Sequence, residues 1–407
     1  MKKHLALAAA VLLGSIALPA QMQTVKDAER AMKNGAAPEE VMNIIAPAFQ
    51  DPETAQLAQT YFIPGKAFFQ SYDQLLGLKQ FNKLPEGGTV AMAQYLLAGY
   101  GLFNEALPLD SVPDAKGKIK TKYSKEIINT IAGHFTDYNQ AAIDLWEVRD
   151  YNGAYEAWEV FLNIAESPIY GPKVPNMPAD STLGEIAYNQ ALAAWQADSL
   201  QKAVNSFMHA KAKGYNKKQL YDYCIAVASN LQNDDLVFAM ATEAQQLYGQ
   251  EDNNYFGHII NHYLQKNDFD RAFAIIDEAI ANDPSNAQYY LVKGILFDNQ
   301  GKLAESEEMF AKAVELNPND SQINYNYGRC LCNKAYAASD AAPTNPAESE
   351  KYYYDIIVPL FKQAVEFLER AWEIDNDNID ALNYLSNAYY NLHDDKMVED
   401  VEARKNH

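Results

Sequence analysis

Residues 253–286, NNYFGHIINHYLQKNDFDRAFAIIDEAIANDPSN, run directly into residues 287–320, AQYYLVKGILFDNQGKLAESEEMFAKAVELNPND. Laying one block on the other pairs Phe256 with Tyr290, Tyr263 with Phe297, Ala272 with Ser306, Ile276 with Phe310, Ala279 with Ala313 and Pro284 with Pro318. Every pair is offset by 34 residues. What recurs is side-chain size rather than identity, which marks a unit of packing repeated along the chain. Asn267-Asp268 and Gly301-Lys302 interrupt the two blocks at the same place and supply a turn. Pro284 and Pro318 close them, because proline cannot continue a helix cheaply.

These positions resemble the tetratricopeptide repeat (TPR), a helix-turn-helix unit with large residues at positions 4, 11 and 24, small ones at 8, 20 and 27, and Pro at 32. Small side chains let the two helices approach closely, as at Gly294, Ser306 and Ala313, and large ones fill the gaps between turns. The resemblance implies an all-α fold, a right-handed α-solenoid of TPR repeats, and is to exported or periplasmic bacterial TPR proteins.

The pattern extends both ways. Residues 185–217 carry Tyr188, Ala191, Trp195, Ala203, Phe207 and Ala210 with the turn one residue shorter, and residues 219–252 keep the turn Asn233-Asp234 but match poorly elsewhere. Tyr327-Gly328 opens another first helix, whose partner, with Ala364, Leu368 and Ala371, follows only after an insertion; AASDAAPTNPAESE reads as a loop near 338–351. ALNYLSNAYYNL and a charged tail suit a terminal cap. Upstream, Leu145, Ala157 and Phe161 with the turn Asn152-Gly153 form another unit.

Pro168, Pro172, Pro175 and Pro178 make residues 168–182 an extended linker. The expected organisation is therefore helical hairpins over 21–167, resembling diverged TPRs and broken at Asp51-Pro52, Pro64-Gly65, 85–88 and a loop from Pro108. The linker follows, then a TPR array over 183–403.

Lys2 and Lys3 precede an apolar run from Leu5 to Leu18, followed by Pro19 and Ala20. This reads as a signal peptide over residues 1–20, and so as export to a periplasm or the medium. Its removal takes two lysines and no acids from a formal charge of −21, leaving −23. Such acidity disfavours nucleic acid and anionic membrane surfaces, both of which bind through Lys and Arg. Cys224, Cys330 and Cys332 are too few for a disulfide framework, and about 200° of helical rotation separates the last two. They read as buried small hydrophobes.

Signatures of a nucleophile elbow, a phosphate loop, a zinc-binding HExxH or a complete EF-hand are absent from the sequence. No enzyme activity, metal or cofactor is expected. His258 and His262 share the i, i+4 spacing of two-histidine metal sites but lack an evident third ligand, and they read better as surface or inter-helix residues. Lys116 to Lys125 reads as a solvated basic loop and helix start.

In TPR solenoids the first helices line a concave surface. Carrying its contact positions over gives His258, Asn261, Gln288, Leu291, Tyr325, Asn326, Arg329, Asn383, Asn387 and Asn391 as partner-binding residues. The last three stack amides along one helix face at i, i+4, i+8. The resemblance implies a non-enzymatic scaffold or adaptor of the cell envelope, binding an extended peptide or partner protein without membrane insertion. A polar surface of this kind also suits envelope glycan or peptidoglycan fragments, the alternative reading.

Overall fold

A computed structural model describes residues 18–111, 113, 117–249 and 254–405 of the 407-residue chain. The signal-peptide reading of residues 1–20 therefore lies almost wholly outside the described residues. Those residues are all-α, with no strand among them, and they form two compact units that divide between Met240 and Ala241.

The first unit opens with α1 (Leu18–Lys33), α2 (Pro38–Ile45), α3 (Ala58–Gln80) and α4 (Gly88–Leu109). It continues through α5 (Ser124–Gly133), α6 (Phe135–Glu147), α7 (Tyr151–Glu166), α8 (Asp180–Gln196), α9 (Leu200–Ala212) and α10 (Lys218–Asn230), and α11 (Asp234–Tyr248) spans the division. The pairs α3/α4, α6/α7 and α8/α9 are packed hairpins. α3 and α4 use the device seen in the repeats: a Cβ built on Gly65 would lie 2.5 Å from the Phe103 ring, and one on Gly99 2.9 Å from Phe69. Only glycine permits that approach.

Four expectations change here. Pro64-Gly65 does not break a helix, since α3 runs through it with Pro64 buried. The turn between α6 and α7 sits at Arg149, which adopts φ +63°, and Asp150 caps α7 by accepting from the Gly153 backbone N–H at 3.0 Å. Asn152-Gly153 therefore belongs to the first helical turn, because a capping carboxylate outweighs a turn-prone dipeptide. The Pro-rich stretch 168–182 does not separate two bodies. It carries a short 3₁₀ turn, Gly171–Lys173, buries Tyr170 and Val174, and lies inside the first unit, where α7 and α8 pack directly. The chain bends there because four prolines withhold helical hydrogen bonds, yet its apolar side chains still find a core.

The fourth change concerns the second unit: α12 (Asn254–Gln265), α13 (Phe269–Asn282), α14 (Ala287–Asn299), α15 (Leu303–Leu316), α16 (Ser321–Asp340), α17 (Pro346–Tyr352), α18 (Val358–Ile374), α19 (Ile379–Asn391) and α20 (Asp395–Arg404). The loop expected near 338–351 shrinks to residues 341–345, and the rest of the insertion is helical. α16 continues to Asp340, and α17 starts at Pro346 with Asn345 capping it through the Ala347 and Glu348 N–H groups. A π-helical turn, Tyr353–Ile357, joins α17 to α18. Ala335, Ala337 and Ala338 favour helix, and Asn345-Pro346 is a cap followed by proline at the first helical position.

Repeat chemistry accounts for the rest of this unit. Asn267 and Gly301 take φ +57° and +70° at the two aligned turns, and Asp268 caps α13 from the Arg271 N–H at 3.2 Å. Helices α13 and α15 end two residues before Pro284 and Pro318. α14 and α15 meet where a Cβ on Gly294 would lie 2.6 Å from the Phe310 ring, and α16 and α18 meet where one on Gly328 would lie 2.6 Å from Leu368 Cγ. Each position is the eighth residue of its repeat. Cys330 and Cys332 are free and fully buried, and burial pushes their thiols up to about 11 and about 12.

In the first unit Tyr138 is completely buried, edge-on to Tyr100, and its hydroxyl has no hydrogen-bond partner among the described residues. Tyr138→Phe removes that orphaned group while keeping the ring, so the variant should be as stable as the parent or gain about 1 kcal/mol. A urea midpoint lower than the parent's would contradict this.

Candidate partner-binding surface

The ten expected contact residues all lie in the second unit, but they divide into three groups. Leu291 is 2 % exposed and belongs to the core with Phe310 and Ile323, so it is not a contact residue. Asn326 is 4 % exposed and donates its amide back to the Gln322 carbonyl at 2.8 Å. It too is internal, because an α-helix on a packed hairpin buries more than the one face that repeat position suggests.

Gln288 and Arg329 are polar ties between repeats. Gln288 Nε2 donates to Asp320 at 3.2 Å, the same carboxylate that caps α16 through the Ile323 N–H. Arg329 on α16 donates to Asp298 on α14 at 3.0 Å, with Asp298's side chain 8 % exposed. Asp298 Oδ1 and Arg329 Nε have no hydrogen-bond partner among the described residues. The cation expected to meet a partner is thus committed to an internal carboxylate. His258 is half-buried, and burial pushes its imidazole below its ordinary range; Asn261 is exposed on α12. His262, its i+4 neighbour, is buried.

What remains is a surface on α16 and α19. Tyr325 stands edge-on to Tyr384, with centroids 6.0 Å apart, and Arg329 Cζ lies 5.8 Å over the Tyr325 ring. Asn383 and Asn387 are exposed. Asn391 is half-buried, donates to the Asn387 carbonyl at 2.8 Å, and receives at its own carbonyl the Tyr353 hydroxyl at 2.6 Å. The amide ladder is therefore two free groups and one tied group.

Two residues missed from sequence join the same stripe. Asp380 and Tyr390 fall at helical spacing from Asn383 and Asn387, and Tyr390 is 69 % exposed, among the most exposed large apolar side chains in the molecule. A tyrosine so open, beside free amides, was legible as the twelfth residue of the repeat, one of the contact positions. Its neighbour Tyr389 points the other way, onto Glu369 of α18 at 3.0 Å.

A tetratricopeptide-repeat family profile matches residues 259–321 and 291–343. Residues 259–343 thus match the tetratricopeptide-repeat family. The photosystem I assembly protein Ycf3 of Acaryochloris marina is 32 % identical over 89 residues, which make up 22 % of this chain and 52 % of that protein. The chain thus spans about half the length of the curated relative it matches. A TPR-repeats protein of Bacteroides fragilis is 16 % identical with a TM-score of 0.33, covering 63 % of this chain and 98 % of its own. YrrB, described as a TPR protein with an unusual peptide-binding site, is 16 % identical with a TM-score of 0.30, covering 64 % and 97 %. No helix among the described residues is long and apolar enough to cross a membrane.

Proposed function

We propose that this TPR protein is a non-enzymatic scaffold that holds an extended segment of a partner protein along α16 and α19. The observation that carries the reading is the stripe of Asp380, Asn383, Asn387 and exposed Tyr390 beside the Tyr325/Tyr384 pair. Free amides satisfy the backbone groups of an extended chain, and aromatic faces cover its side chains, whereas a plain solvated helix would gain nothing from three weak helix formers in one row. The assembly role named for the Ycf3 relative is consistent with a scaffold. Placement in the cell envelope rests on the N-terminal sequence from Lys2 to Ala20.

The test is capture from native envelope extract, with crosslinks mapped by mass spectrometry, comparing the parent with Asn387→Asp combined with Tyr390→Ala. A protein crosslinked to α19 in the parent and lost from the variant, with helical circular dichroism unchanged, is the expected result. Retention of that protein would move the site elsewhere on the chain. Binding of purified oligosaccharide in place of any protein would favour the glycan reading.

A further inference from the structure

The charge of the second unit decides which extended segment this surface takes, an inference that rests on the reading just given. Residues 241–407 hold 29 Asp and Glu against 13 Lys and Arg, a formal −16 out of −21 for the whole chain. Much of the basic complement is already paired: Arg329 with Asp298, Lys334 with Glu307, Lys293 with Asp277, Arg404 with Glu369 and Asp400, and Lys405 with Glu402. On the stripe itself Asp380 is exposed, in the first turn of α19; burial raises the Tyr325 phenol, the Arg329 guanidinium over its ring opposes that, and Asp380 adds to it. The turn leading into α19 adds exposed Asp375 and Asp377.

We propose that the α16/α19 surface selects a basic extended segment, seating an Arg or Lys side chain at Asp380 beside the Tyr384 ring. A carboxylate one helical turn from an aromatic ring attracts a cation by both charge and ring quadrupole. The amides of Asn383 and Asn387 hold the adjoining backbone. Asp380 and Asn387 are seven residues apart, about 10 Å along the helix, which an extended chain spans in about three residues. The partner's cation therefore stands about three residues from the backbone group held by Asn387. A second copy of this chain is a poor occupant, since two units each of formal charge −16 repel each other.

The test uses the described chain from residue 21 and three fluorescein-labelled twelve-residue peptides, repeats of Gly-Arg-Ser, Gly-Asn-Ser and Gly-Glu-Ser, read by anisotropy at physiological salt. The Arg peptide is expected to bind at least tenfold more tightly than the Asn peptide, and the Glu peptide more weakly than either. Asp380→Asn should weaken the Arg peptide about fivefold and leave the Asn peptide unchanged. Asn387→Ala combined with Tyr390→Ala should weaken both.

Equal binding of the Arg and Asn peptides, untouched by Asp380→Asn but lost in the double variant, would overturn the charge selection while leaving the extended-segment reading standing. An Arg peptide that binds the double variant as well as the parent would reduce the effect to general attraction by an acidic protein, overturning both. Failure of all three peptides to bind would also overturn both. Circular dichroism of each variant separates loss of binding from loss of fold.

Discussion

Arg329→Glu should destabilise the second unit by about 3–5 kcal/mol, because it removes the partner of a buried carboxylate and puts a second negative charge beside it. Asp298's side chain is 8 % exposed, and its Oδ2 depends on the Arg329 guanidinium. The measurement is urea unfolding followed by circular dichroism, with the variant's midpoint displaced to lower denaturant. Replacing both members, Asp298→Leu with Arg329→Met, should recover most of the stability, since an apolar pair of similar volume leaves no charge uncompensated. An Arg329→Glu midpoint equal to the parent's would mean that solvent screens the pair. The same reasoning makes Arg329 unsuitable for testing partner binding, although its repeat position marks it as a contact.

Phe310→Ala should cost about 3–5 kcal/mol, the range for emptying a fully buried aromatic site. Phe310 is completely buried, and its ring fills the space that Gly294 leaves open between α14 and α15. The converse change, Gly294→Ala, should cost about 1–3 kcal/mol through overpacking, because a Cβ 2.6 Å from the ring forces the ring to move. Combined with Phe310→Leu, Gly294→Ala should cost less than the sum of the two single changes, since the smaller side chain vacates the space the new methyl needs. Additive costs in that cycle, measured from urea midpoints, would show that the two positions do not share one packing contact.

The sequence carried the repeat and its capping grammar. A 34-residue offset of large and small residues, with prolines closing each block, is a pattern of volumes, and volumes are what helix hairpins pack by. The aligned turns at Asn267 and Gly301 and the close approach at Gly294 followed from it directly. Exposure of Asn383 and Asn387 also followed, from their contact positions in the repeat.

What failed was reasoning from isolated breakers and from repeat positions alone. Proline and alanine-rich polar stretches suggest breaks and loops by composition, but Pro64 sits inside a helix and 346–352 forms one, because neighbouring residues supply the packing and caps that decide the outcome. The concave list placed Leu291 and Asn326 on the surface, yet burial depends on what packs on both sides of a helix.

The sequence by itself determined the fold class, the repeat period and the acidic character of the chain, all of which depend on residue size, spacing and charge count. Only the tertiary structure decided that Arg329 is neutralised by Asp298, that the Tyr353 hydroxyl closes on the Asn391 carbonyl, and that Leu291 and Asn326 are shut away from solvent. Those are relations between residues on different helices, or between a side chain and solvent, and no periodicity within one chain segment encodes them.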